Sequence, residues 1–453
     1  EMYYDYRSHI KDIPSHNMLA LRRAEKEEVV SFEIEADHDS LVGNIAAKSI
    51  TTANKQLKEL LTAAVKDGYE RLMKLSLSAE VRIEKKREAD LEAISTFERN
   101  LKELLLSPPA GLERTLAVDP GFRTGCKVVA LDETGKFLEK YTIFPTEPQK
   151  DIVKSTEIIH KFIKAYDPKF IVVGNGTASR ETESFLKTAV SSIPAAKRPH
   201  ILLVSESGAS IYSASEVASR EFPDLDLTLR SAISIGRRFQ DPLSELVKID
   251  AKSIGVGQYQ HDVDQTLLKK KLEDVTESCV NYVGVELNSA SAELLAFVAG
   301  LNKAIAENIV KYRNQNGALK SRKDLLNVTR LGAKAFEQCA GFLRIRNGEN
   351  PLDNSAVHPE SYYIVQKMAD TLSVPIEKLI SDNTLVSRLK ADDFTDEKTG
   401  RETVLDILEE LKKPGRDPRA TFSYAEFRED VTEISHLKEG MILEGSVTNV
   451  ANF

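Results

Sequence analysis

The stretch SPPAGLERT, residues 107–115, divides this chain into two regimes. Consecutive prolines followed by glycine cannot continue a helix, so a new domain starts there. Ahead of the break, residues 1–110 read as a helical region: Leu57, Leu60, Leu61 and Ala64, then Leu91, Ile94, Leu101 and Leu105, recur at helical spacing. One strand is expected in it, VVSFEIEA at 29–36, and the charge-dense VRIEKKREADLEAI reads as a solvated helix face. Behind the break the period changes. TLAVD (115–119), CKVVALD (126–132) and, after the turn DETGK, FLEKYTIF (137–144) read as three strands. A helix over 148–166, the strand KFIVVGNG, a helix near 178–190, the strand HILLVSE (200–206) and further helices to about Lys248 follow. A meander that continues into alternating helices and strands gives a mixed sheet with helices on its faces.

At 453 residues the chain is too long for one ordinary domain. Its net charge of −8 confines any nucleic-acid contact to local patches. Cys126, Cys279 and Cys339 lie far apart in apolar or amphipathic context and read as reduced core thiols, and the eight histidines show no metal-ligand spacing. No run approaches the roughly 18 apolar residues of a membrane span, and EMYYDYRSHIKD lacks the pattern of a signal peptide. A cytoplasmic protein with no membrane partner is expected. The final GSVTNVANF stops inside an alternating pattern, as in a piece of a longer chain.

Residues 280–346 turn helical and repetitive. LLAFVAGLNKAIAENIV and LLNVTRLGAKAFEQCAG superpose with Leu295 on Leu325, Val298 on Val328, Leu301 on Leu331 and Glu307 on Glu337, two copies of one helix-turn-helix unit. Such a unit turns backbone N–H groups at a helix N-terminus toward phosphate without reading bases. The segment carries ten basic residues (Lys303, Lys311, Arg313, Lys320, Arg322, Lys323, Arg330, Lys334, Arg344, Arg346) against five acidic ones. The candidate nucleic-acid-binding residues are Gly300, Asn302 and Lys303 in the first hairpin and Arg330, Gly332 and Lys334 in the second. Each copy keeps one of two hairpin glycines. Residues 347 to about 435 read as a mixed connector with the loop-like KKPGRDPRA.

Three carboxylates stand where chemistry is conceivable. Asp119 ends the first strand, Glu206 ends a later one, and Asp241 opens an apolar-periodic helix, with Asp250 as its substitute. Two divalent cations need several hard oxygen ligands converging from neighbouring strand ends to polarise a phosphodiester. The bland reading makes Asp119 and Asp241 turn and N-cap residues, since aspartate before proline suits both. VVGNGTASRETE reads as a strand-to-helix turn capped by Thr177 or Ser179, lacking the spacing of a phosphate loop.

VDPGFRTG, VVGNGTASRETE, SESGASIYSASEVA, SIGRRFQDPLSELVKIDAKSIGVGQYQHDV and the repeat from VGVELNSASAELLAF together resemble the bacterial Tex family of transcription accessory proteins, relatives of an Spt-type eukaryotic elongation factor. The resemblance implies a multidomain α+β and α architecture. It comprises a helical region (1–110), a YqgF-type ribonuclease-H-like domain (111–250), a linker helix with tandem helix-hairpin-helix motifs (251–346) and a small mixed connector (347–435). Residues 436–453 would then be the first strand of an OB-fold of the ribosomal S-one type. It further implies RNA or DNA binding in transcription, with RNA polymerase or associated factors as partners and no known nuclease turnover. In YqgF-like relatives the acidic set carries over to Asp119, Glu206 and Asp241. The junction-resolvase branch instead expects a glutamate where Gly174 and Asn175 stand. No cofactor is required on this reading. The alternatives are a two-metal nuclease on magnesium or manganese, and a protein-interaction scaffold.

Overall fold

The computed structural model describes residues 3–415, 417–423 and 437–443, and the chain forms two compact units. The strand start expected over 436–453 falls mostly outside the described residues, and 437–443 contain one turn and no strand.

The first unit comprises residues 1–100 with 256–271 and is helical: α1 (Ser15–Lys26), α2 (His38–Ser49), α3 (Lys55–Gly68) and, after one π-turn, α4 (Lys74–Leu105), whose last residues belong to the second unit. Its buried surface is small. Met18, Leu19 and Leu21 of α1 and Ala89, Ile94 and Phe97 of α4 are enclosed, and Arg23 makes a bidentate ion pair with Asp262. The strand expected over 29–36 does not form: residues 30–37 belong to no helix or strand. Alternation creates a strand only where a neighbour accepts its backbone hydrogen bonds, and helices cannot supply that.

The second unit opens with the five-stranded sheet: β1 (Thr115–Asp119), β2 (Cys126–Leu131), β3 (Phe137–Ile143), then α5 (Ile152–Tyr166), β4 (Phe170–Gly174), α6 (Ser179–Val190) and β5 (His200–Val204). The spatial order is β3-β2-β1-β4-β5, antiparallel in the meander and parallel from β1 to β4 to β5. This mixed order is the ribonuclease-H-like arrangement. β1 is buried except for its last residue, and successive side chains go to opposite faces. Leu116 and Val118 join the core under α5 and α6, while Ala117 packs with Ile233, Ile235 and Phe239 on the other side. Asp119, two residues beyond Ala117, therefore points to that second face.

That face is covered by α7 (Ala209–Ala214), α8 (Glu216–Glu221) and α9 (Leu227–Gln240), followed by α10 (Pro242–Leu246). A buried charge network joins them: Glu221 accepts from Tyr212 at 2.7 Å, Arg237 at 2.7 Å and Lys248 at 2.8 Å, and Lys248 also meets Glu245 at 2.9 Å. The charged letters of GRRFQDPLSELVK are thus largely internal.

α11 (Gln265–Val283) leads into α12 (Ala292–Leu295), α13 (Lys303–Asn316) and α14 (Ala333–Cys339), with short parallel strands β6 (Val285–Glu286) and β7 (Leu343–Arg344) closing the repeat. Residues 351–412 are built of α15 (Tyr362–Thr371), α16 (Ile376–Ser381), α17 (Asn383–Val386), α18 (Arg401–Lys412) and 3-10 turns around one core centred on Ile364, Met368 and Val404. The connector expected to be mixed is helical throughout these residues.

Candidate carboxylate site and nucleic-acid interface

β1, β4 and β5 run parallel, so their carboxyl ends lie on one edge, and the loops leaving that edge bring Asp119 and Glu206 together. Glu206 needs space to arrive. A Cβ at Gly174 would stand 2.7 Å from its carboxylate, and one at Gly176 would overlap it. The glycines of VVGNG are therefore room for a carboxylate, not a phosphate cradle. Asn175 fixes the loop: its amide oxygen accepts the Glu206 N–H at 3.1 Å, and its own N–H donates to Val204 at 3.0 Å. The helix that follows is entered through Ala178 in a left-handed conformation, with no side-chain cap from Thr177 or Ser179.

Burial pushes the Asp119 carboxyl from 3.8 up to about 6; the hydrogen bond from Ser231 and the Lys127 ammonium oppose the rise, and the Glu206 charge adds to it. Ser231 lies on α9, on the sheet face to which Asp119 points. The helix thus supplies a hydroxyl beside Asp119.

Asp241 is elsewhere. The residue before it, Gln240, donates to the carbonyls of Glu113 and Asp132, each at 2.8 Å, and Gly111 donates to the Gln240 carbonyl at 3.1 Å. These contacts mark the opposite end of β1, roughly 13 Å of strand away at about 3.3 Å per residue. There Asp241 caps α10 through Ser244 and pairs with Arg419 at 2.7 Å. The reason is direction: α9 starts at the Asp119 end of the sheet and its last residues lie at the other. Asp250 caps the 3-10 turn Ala251–Ser253. No group of three or more His, Cys, Asp or Glu side chains is placed to hold a metal ion among the described residues. Two carboxylates, one hydroxyl and a nearby ammonium do not match the ligand demand of paired divalent ions, so the donor set does not fit that group.

The helical repeat is internally symmetric in its contacts. Residues thirty apart play the same part: Leu295 and Leu325, Val298 and Val328 are buried, and Gly300 and Arg330 both adopt positive φ, at 81° and 70°. Asn308 of α13 donates to the Thr329 carbonyl of the second hairpin at 2.9 Å, and its counterpart Gln338 of α14 lies against Gly300 of the first. A Cβ at Gly300 would stand 2.5 Å from that of Gln338, so glycine is needed there for both space and backbone angle. The two hairpins differ at their helix entries: Asn302 caps α13 by accepting from Ile305, whereas Gly332 leaves α14 without a side-chain cap.

Lys303, Lys311, Lys320, Lys323, Arg330, Lys334 and Arg346 are exposed. The other three basic residues of the segment are structural. Arg313 donates to the Leu287 carbonyl, and Arg344 is largely enclosed. Arg322, 1% exposed, donates to the carbonyls of Leu343, Val357 and Ser355 and to Tyr362, whose hydroxyl binds Asp353. Sequence reasoning missed these internal cations, as it missed Lys127, Ser231 and Arg419. The one available signal was a lysine, Lys127, at the head of an otherwise apolar strand.

Comparison with known proteins places families along the chain: "Tex central region-like" at 1–97, "Tex protein YqgF-like domain" at 113–240, "Helix-hairpin-helix motif" at 280–344 and "HHH domain" at 350–419. The whole chain aligns at 50% identity with "Transcriptional accessory protein Tex" of Neisseria gonorrhoeae and at 46% with "Protein YhgF" of Escherichia coli K12. It also aligns at 32% with the human "S1 RNA-binding domain-containing protein 1". It spans 60%, 59% and 52% of their respective lengths. No helix of the described residues is long and apolar enough to cross a membrane.

Proposed function

Because this chain belongs to the Tex family, we propose that it is a cytoplasmic transcription accessory factor that binds RNA or DNA through phosphate contacts of its hairpin repeat, without strong sequence specificity. The observation that carries this reading is the repeat itself. Two hairpins locked against each other carry Lys303 on the first turn of α13, Arg330 in the second hairpin and Lys334 on the first turn of α14, all exposed. Cations beside helix N-termini favour a polyanion, and nothing at these positions is shaped to read a base edge. RNA polymerase or an associated factor is the protein partner this reading expects. The ion pair of Asp241 with Arg419 supports this reading over the nuclease alternative.

The test is the salt dependence of binding to a single-stranded and a duplex oligonucleotide. In the variant Lys303→Ala/Arg330→Ala/Lys334→Ala, affinity falls and the slope of log K against log salt flattens by roughly one unit for each phosphate no longer neutralised. An unchanged slope would sink the assignment.

A further inference from the structure

The two carboxylates that the sheet brings together each have a buried cation tied to their loop. Asp119 and Lys127 are directly opposite residues of the antiparallel β1–β2 pair, so both side chains leave the sheet on the α9 face. Lys127 is 8% exposed. Its ammonium donates to the carbonyls of Thr124 and Gly125, at the far end of the loop that Asp119 begins, and its charge acts on Asp119. Arg238, 5% exposed, repeats the arrangement at the other acid. Its Nη1 donates to the carbonyls of Ser205 at 2.8 Å and Ser207 at 2.9 Å, the two neighbours of Glu206, and the guanidinium feels the charge of the buried Glu245 first and of Glu206 second. In both cases a buried cation holds the acid's loop by its carbonyls and lies within reach of the acid's charge. Lysine and arginine are rarely this buried without a charge to answer.

A phosphodiester-cleaving centre of this fold would place the positive charge of two divalent ions at such carboxylates. Here that charge is part of the chain. We infer that Lys127 and Arg238 are built-in cations standing in for a metal pair, offsetting part of the charge of Asp119 and Glu206 and keeping divalent ions out of the site. A divalent ion entering beside Asp119 would meet the ammonium of its cross-strand partner in a partly desolvated setting, a repulsion that removal of one side chain relieves. The inference is independent of the hairpin reading, and either can fail alone.

The experiment is a manganese titration of the full chain, followed by the paramagnetic resonance of free Mn2+, with Asp119→Asn as the blank for other surface carboxylates. Wild type and blank should be indistinguishable. Lys127→Met should bind Mn2+ at least about tenfold more tightly than wild type, the change expected on removing one nearby like charge, and should lose that gain when Asp119→Asn is added. Asp119-dependent binding by the wild type overturns the inference, and so does failure of a folded Lys127→Met to gain affinity. Should Lys127→Met not fold, the melting temperature of the wild type decides. No shift with Mn2+ supports the inference, and a rise that Asp119→Asn abolishes overturns it.

Discussion

At the scale of the residue, Asp119 is the group whose environment most departs from water. Its carboxyl titrates at about 6 in the fold against 3.8 outside it, with burial as the main cause. The sign follows from linkage. The folded state holds the proton more tightly, so the group costs nothing below about pH 4, and stability is lost as pH rises through the interval to about 6. Asp119→Asn, which mimics the protonated form, is therefore expected to be stabilising by about 2 kcal/mol at pH 8 and close to neutral at pH 4, read from urea unfolding at the two pH values. Its partner gives a steric counterpart. Gly176→Ala puts a methyl into the volume of the Glu206 carboxylate and should destabilise by about 1–3 kcal/mol, whereas Gly176→Ala/Glu206→Ala should recover most of that loss. Recovery absent from the double variant would show that the loop backbone, and not the carboxylate, requires glycine.

At the scale of the element, the two hairpins show how one unit serves twice with different residues. Arg330 adopts the left-handed conformation that Gly300 adopts in the first copy, a conformation costing a side-chain-bearing residue about 1 kcal/mol. Arg330→Gly should leave stability unchanged or raise it by up to about 1 kcal/mol while weakening nucleic-acid binding, a split that unfolding and titration measure separately. A parallel drop in both would mean that Arg330 serves packing. The repeat was legible because buried leucines and valines recur thirty residues apart, and the strands because their apolar runs end at turns. Asp119 and Glu206 could be singled out because strand ends are visible in a sequence. Arg238 could not, and Lys127 only as an odd lysine in an apolar strand, because their roles depend on which residue stands opposite in the ladder and how α9 lies across the sheet, both non-local facts. Asp241 shows the same limit from the other side. Its helix was foreseeable, but the direction in which α9 crosses the sheet decides the end at which it sits. The segment 29–36 failed for want of a partner strand, which no local pattern reports.

At the scale of the molecule, charge that looks like surface in the sequence ties the second unit together. Arg322 fastens the hairpin repeat to the helical connector through the carbonyls of Val357 and Ser355 and through Tyr362, while also holding the Leu343 carbonyl of the repeat, and Arg322→Met should cost about 3 kcal/mol or more by leaving those acceptors buried and unpaired. The residues after the connector return to the sheet domain. Arg419, with a side chain 4% exposed, bridges Asp417 and Asp241, and Phe422 stacks edge-on against Phe170 and Phe239 at 6.0 and 5.3 Å. This strap lies at the end of the sheet away from Asp119 and ties the residues after the connector to the sheet domain. Removing Arg419 leaves Asp241 and Asp417 without their shared cation, whereas removing Asp241 leaves Arg419 its Asp417 partner, so Arg419→Ala should destabilise by about 1–3 kcal/mol and Asp241→Ala by less. The double variant should be scarcely worse than the more damaging single one, a coupling that a double-mutant cycle in urea resolves. The same variants should speed amide exchange at 417–422 and leave the salt dependence of nucleic-acid binding unchanged, since the strap holds domains and grips no phosphate. Additive losses would show that Arg419 and Asp241 act separately, and the strap would then rest on Phe422 alone.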